Sequence, residues 1–234
     1  MSWFGLGPQD ILDRAKASGA AVKVPTLASS LLRGVVGFTI VSVAGFCPWA
    51  LGAKWFHGRA GEIGMYAACA LTFIGLSGVL LHGLIIGPGS LPRFYKLFGV
   101  AFAAYSAAWI AGWMGLHGHA GSLAGLFAGT ALMGWILACA FDERGAALKS
   151  IAALFVLNTL GYYAGGWAEG KVAHLPHLSL AGLVLEKPPP ITVAMLLWGV
   201  GYGIGLGAGL GLAFYFCQKT VRERLSTASD SRQG

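Results

Sequence analysis

The sequence predicts an all-α fold: a polytopic transmembrane bundle of six helices, both termini cytoplasmic, with a close-packed glycine-rich last helix. Three observations carry that expectation. Hydrophobic residues make up 56% of the 234-residue chain and charged residues 11%, with a mean hydropathy of +0.68, too apolar for a domain that must present a wetted surface. The apolar residues gather into six runs, each near the ~20 residues a bilayer core requires. Basic residues stand at the ends of those runs and are unevenly shared between the two sides.

In chain order, residues 1–30 form a cytoplasmic or interfacial segment. It carries Asp10, Asp13, Arg14, Lys16 and Lys23 and lacks the short apolar core and small-residue cleavage site of a removable signal. Ile11, Leu12 and Ala15, set among polar residues, predict a short amphipathic helix between Pro8 and Ala20. Trp3 and Phe4 would help it lie on the membrane surface. The competing expectation is a loose tail. Residues 31–217 form the membrane domain, with spans near Leu31–Leu51, Gly64–Ile86, Leu97–Leu116, Gly121–Phe141, Ser150–Trp167 and Ile191–Cys217. Residues 218–234 read as a polar cytoplasmic tail.

Orientation follows from lysine and arginine, whose excess marks the cytoplasmic side. Arg14, Lys16, Lys23, Arg33, Arg93, Lys96, Arg144, Lys149, Lys219, Arg222, Arg224 and Arg232 fall on one side, and Lys54, Arg59, Lys171 and Lys187 on the other, 12 against 4 of the 16. This predicts an integral protein of a bacterial inner membrane, with the lipid bilayer as its first partner. The net charge of +7 is thereby topological. No basic stripe or nucleic-acid motif accompanies it, so nucleic acid is not an expected partner.

Glycine organises the spans. From Gly199 to Gly211 every second residue is glycine. At about 100° per residue, Gly199, Gly203, Gly207 and Gly211 make one bare stripe, and Gly201, Gly205 and Gly209 a second on roughly the opposite face. Gly121, Gly125 and Gly129 repeat the four-residue spacing in span four, as do Gly161 and Gly165 in span five. Small residues at this spacing let membrane helices approach closely, so spans four to six are expected to form one close-packed unit. The alternating run resembles the first span of rotary ATPase ring subunits and a cristae-organising protein of the mitochondrial inner membrane. That resemblance implies close helix contact, within one chain or between copies. The rings' intramembrane carboxylate is missing, so proton translocation is not carried over.

Candidates for chemistry are sparse. No Asp, Glu, Lys or Arg lies deep within the spans and His82 is the one readily titrating group at depth, which weighs against ion or proton coupling. His82 reads as a satisfied histidine. Asn158, Thr159 and Tyr162 form the most polar patch inside a span; they would line a neutral pore or act as packing glue. His117, His119, His174 and His177 have spacings that metal sites use, and fall in connections expected to face outward. Surface histidines are the competing expectation. His82 and His117 lie near opposite ends of their spans, more than ~20 Å apart in depth, and cannot share a haem; a pair of outer histidines is the remaining alternative for one, and no cofactor is expected. Residues Gly75 to Gly78 spell GLSG, which resembles the nucleophile motif of rhomboid proteases. There the serine lies on the fourth span with a histidine on the sixth, whereas Ser77 is on the second and the sixth has none. Cys47 and Cys69 fall at similar depths, which would permit a disulfide; small apolar filler is the competing expectation.

The expected function is that of a scaffold or subunit of a membrane assembly without catalytic residues, self-associated or joined to other membrane subunits through the glycine faces of spans four and six. The alternative is a channel or facilitator for a small neutral solute, or for a metal captured by the outward histidines. An intramembrane enzyme comes third.

Overall fold

A computed structural model of the chain describes residues 4–19, 22–175, 177–180, 183–186 and 189–230. Its helices, in chain order, are α1 (Pro8–Ser18), α2 (Leu27–Ala50), α3 (Ala53–Arg59), α4 (Gly61–Leu81), α5 (Ser90–Leu116), α6 (Gly118–Ala140), α7 (Ala147–Ala173), α8 (Pro189–Cys217) and α9 (Lys219–Asp230). Six segments are long and apolar enough to cross a membrane, containing α2, α4, α5, α6, α7 and α8. The protein is therefore a predominantly helical membrane protein with six segments able to span a bilayer.

Local chemistry sets several boundaries. Helix α2 begins at a capping box, in which Thr26 Oγ1 accepts from the Ser29 amide at 3.1 Å and Ser29 Oγ accepts from the Thr26 amide at 2.9 Å. This satisfies donors that a helix start otherwise leaves bare. Between α5 and α6 the chain turns within His117 and Gly118, both at φ 55°. With ψ at 169°, His117 lies outside the left-handed helical well, in a region ordinarily kept for glycine, at a cost of about 1–3 kcal/mol.

The six spans close into a ring in which each packs on two neighbours, in the order α2, α8, α7, α6, α5, α4 and back to α2. Neighbours are antiparallel: Gly34 faces Gly211 and Gly203 faces Thr39 across α2 and α8, while Gly161 faces Gly205 across α7 and α8. Both ends of the described chain thus lie at one end of the bundle. The ring is filled by aromatic side chains. On α5, Phe94, Phe98, Phe102 and Tyr105 stack in succession, with ring centroids 5.2, 5.2 and 5.9 Å apart. Phe38 of α2, Phe73 of α4 and Phe214 of α8 press against this column at 6.3, 5.7 and 5.7 Å.

Four expectations need correction. Spans four to six do pack in succession, α6 on α7 and α7 on α8, but the close-packed unit does not end there: the other flank of α8 is covered by the first span, α2, whose Gly34 lets the two backbones meet. The amphipathic α1 does not lie alone on a membrane surface: Ile11 is fully buried and, with Leu6, belongs to the bundle's core. Trp3 lies outside the described residues. The stretch from residue 219 to 230 is not a solvated tail but a helix, with Val221 1% exposed. Its Arg222 donates to the carbonyl of Tyr215 and stacks on that ring with its guanidinium 3.5 Å from the centroid; burial draws this guanidinium below its ordinary pKa. Finally, the connection before α8 holds an antiparallel hairpin, His177–Leu180 against Leu183–Glu186, with His177 opposite Glu186. Its two strands of 4 residues are at the shortest length at which alternation can be read, and Leu183–Glu186 does not alternate.

Candidate functional site

The most constrained region of the molecule is the contact of α8 with its two neighbours. A Cβ added at Gly203 would sit 2.6 Å from Thr39 Cα, and one at Gly211 would sit 2.5 Å from the Ser30 carbonyl oxygen. At Gly207 it would strike the Gly34 carbonyl, and at Gly199 it would come 3.2 Å from the Phe46 ring. The first stripe therefore lies on the backbone of α2. On the other flank, Cβ atoms at Gly201, Gly205 and Gly209 would sit 2.6 Å from Gly165 Cα, 2.8 Å from Gly161 Cα and 2.9 Å from Leu154 Cα, so the second stripe lies on α7. Approaches this close exclude any side chain and allow carbonyl and Cα–H groups of facing helices to meet.

Gly121, Gly125 and Gly129 of α6 are used on α5 in the same way. Their added Cβ atoms would come 2.9 Å from the Gly112 carbonyl oxygen, 2.6 Å from that of Trp109 and 2.8 Å from that of Tyr105. All three stripes are occupied by helices of the same chain. Sequence inspection missed the partners Gly34, Gly37, Gly45 and Gly112. Gly37 and Gly45 receive the side chains of Leu81 and Phe73 from α4, 2.6 and 2.5 Å from their added Cβ positions. Their uneven spacing hides them from any search for regular repeats.

Asn158 is fully buried, and its Nδ2 donates to Tyr105 Oη at 3.0 Å, to which Tyr202 Oη also donates at 3.3 Å. Asn158 thus ties α7 to α5, and Tyr202 ties α8 to the same hydroxyl. Asn158 Oδ1, Thr159 Oγ1 and the indole nitrogens of Trp109 and Trp198 are buried without a hydrogen-bond partner. Tyr162 lies between those indoles, with ring centroids 6.3 and 5.5 Å away, and its hydroxyl is 3.4 Å from Ser122 Oγ.

The histidines turn to different neighbours. His117 Nδ1 meets the Trp113 carbonyl of α5 at 3.0 Å, while the His119 ring lies 5.8 Å from that of Tyr163 on α7. His174 is exposed at the end of α7, and the side chain of His177 lies outside the described residues. Among the described residues no three His, Cys, Asp or Glu side chains gather as a metal ion would require. His82 is satisfied by Ser90 Oγ at 2.9 Å. The four cysteines are free thiols.

The GLSG segment has a packing role. A Cβ at Gly78 would fall within the Tyr95 ring, whose hydroxyl donates to the Gly75 carbonyl at 2.6 Å. The glycine seats an α5 tyrosine on α4, while Ser77 Oγ, fully buried, has no hydrogen-bond partner. A serine without a base is not activated.

Another element invisible in the sequence is Gln218, 1% exposed between α8 and α9. Its Nε2 donates to the carbonyls of Leu84 and Phe214 at 2.8 and 2.9 Å, and its Oε1 accepts from the Ile86 amide at 2.8 Å. This one side chain closes open backbone groups in the α4–α5 connection. No family model, curated protein or solved structure matches the chain.

Proposed function

We propose that the protein is a scaffold or subunit of a membrane assembly, without catalytic residues, in which glycine-mediated packing makes six spans into one stiff body. The observation that carries this reading is the filled interior: an aromatic column, a fully buried Asn158, and α8 in backbone contact on both flanks. A core packed in this way resists the rocking that alternating access needs. Because the glycine stripes of α6 and α8 are used inside the chain, association falls to another surface. Helix α4 suits it best, with Ile63, Tyr66, Leu71 and Val79 exposed and the smallest buried share of the six spans, 17%. The charge bias supports a bacterial inner-membrane location with both termini cytoplasmic.

The test is native mass spectrometry and cross-linking of the full chain from mild detergent. A discrete complex, of this chain alone or with other membrane subunits, is expected. Tyr66→Leu with Leu71→Trp on α4 should dissociate it while leaving the thermal stability of the single chain intact. A strictly single chain in membranes and detergent, insensitive to those changes, overturns the reading.

A second reading is favoured by the orphaned polar atoms of Asn158, Thr159, Trp109 and Trp198: a facilitator for a small neutral solute. It requires solute flux in proteoliposomes that Asn158→Leu abolishes. Its metal variant, with capture by His117, His119, His174 and His177, requires stoichiometric metal in the purified protein, lost when those residues are replaced.

A further inference from the structure

At the end of the bundle that holds both termini, a cavity of about 380 Å³ lies between the start of α2 and the α4–α5 connection. That volume is in the range of small-ligand sites. Its walls are of two kinds. Val22, Pro25 and the segment Leu84–Pro88 give an apolar side, while Lys23 and Arg33, with Ser29, give a cationic one. Among the described residues no Asp or Glu lines it, and no carboxylate pairs with Lys23 or Arg33. Two cations facing a small open volume without a counter-charge hold it at positive potential.

Arg33 is held in place. Its Nη1 donates to the Gly83 carbonyl, and because Gly83 has no side chain the guanidinium lies close against the connection, its carbon 2.8 Å from where a Cβ would stand. Arg33 is also exposed, and its remaining N–H groups are in a fork suited to phosphate oxygens. It is the seventh residue of α2, about 9 Å from the helix start, and so near one end of a segment long and apolar enough to cross a membrane.

We propose that this cavity binds a phosphate-bearing anion, its oxygens on Arg33 and Lys23 and its organic part against the Leu84–Pro88 wall. The chemistry is shared by the phosphodiester of an anionic phospholipid and by a soluble phosphomonoester. An apolar wall beside two cations near the end of a span favours the lipid. The site is separate from the glycine contacts and does not rest on the scaffold reading.

The test is native mass spectrometry of the full chain in neutral detergent, titrated separately with phosphatidylglycerol, phosphatidylcholine and glycerol 3-phosphate. Phosphatidylglycerol is expected to bind at one site at least tenfold more tightly than phosphatidylcholine. Lys23→Gln should weaken that site about fivefold, and Lys23→Gln with Arg33→Gln about 25-fold, at roughly a fivefold loss per interfacial cation. Lys23 is exposed, so the single variant tests the site even if the double one misfolds; circular dichroism and melting temperature identify that case. Tighter, cation-dependent binding of glycerol 3-phosphate assigns the site to the soluble source. Equal binding of all three probes, or binding unchanged by Lys23→Gln, overturns the proposal.

Discussion

A glycine in this protein can be judged by what a single methyl group would meet. At Gly161 an added Cβ would lie 2.7 Å from Gly205 Cα, whereas at Gly166, on the same helix, it would meet nothing within 4 Å. Gly161→Ala should therefore destabilise the bundle by about 1–3 kcal/mol, the usual cost of overpacking. Gly166→Ala should be neutral or stabilising by up to about 1 kcal/mol, through helix propensity alone. Melting temperatures in one detergent test the pair, and equal effects would sink the argument that contact, rather than glycine itself, matters. Ser77 is judged in the same way. Its hydroxyl is buried and unpartnered, so Ser77→Ala should leave stability equal or higher, and a fluorophosphonate probe should fail to label the native protein. Labelling at Ser77 would restore the hydrolase alternative.

At the scale of elements, the molecule depends on connections as well as spans. Gln218 makes three hydrogen bonds that join the end of α8 to the α4–α5 connection. Gln218→Leu removes them and strands a buried amide and carbonyl, so a loss of about 2–4 kcal/mol is expected. The change should also raise hydrogen exchange across residues 82–89, next to the cavity that holds Arg33. A variant with unchanged exchange there would mean that the connection is held by packing instead. Such a staple has no sequence signature, because a glutamine after an apolar run looks like the start of a polar tail. Helix α9 was hidden for the same reason: its buried apolar side chain, Val221, sits among charges, and the cover it finds is tertiary.

For the whole molecule, antiparallel neighbours around a closed ring require both ends of the chain on one side. On the orientation proposed from the lysine and arginine bias, that side is the cytoplasm. Reporter fusions after residues 18 and 230 should both report the cytoplasm, and a fusion within 168–172 the opposite compartment. A split result for the two ends would contradict the six-span fold itself. Because α8 touches α2 and α7 along its length, thermal unfolding should be a single cooperative transition in which the first and last spans separate together.

The sequence by itself determined that the chain is helical, that six segments suit a bilayer, and where the two bare stripes of the last span lie, because period, length and hydropathy are properties of consecutive residues. It could not say which helix each stripe meets. That choice made α2 rather than α6 the partner of α8, placed Tyr95 over the GLSG segment, and brought Lys23 and Arg33 to one cavity. Each is decided by packing between residues distant in sequence, where the competing arrangements share the same composition and differ only in how closely backbones and rings fit.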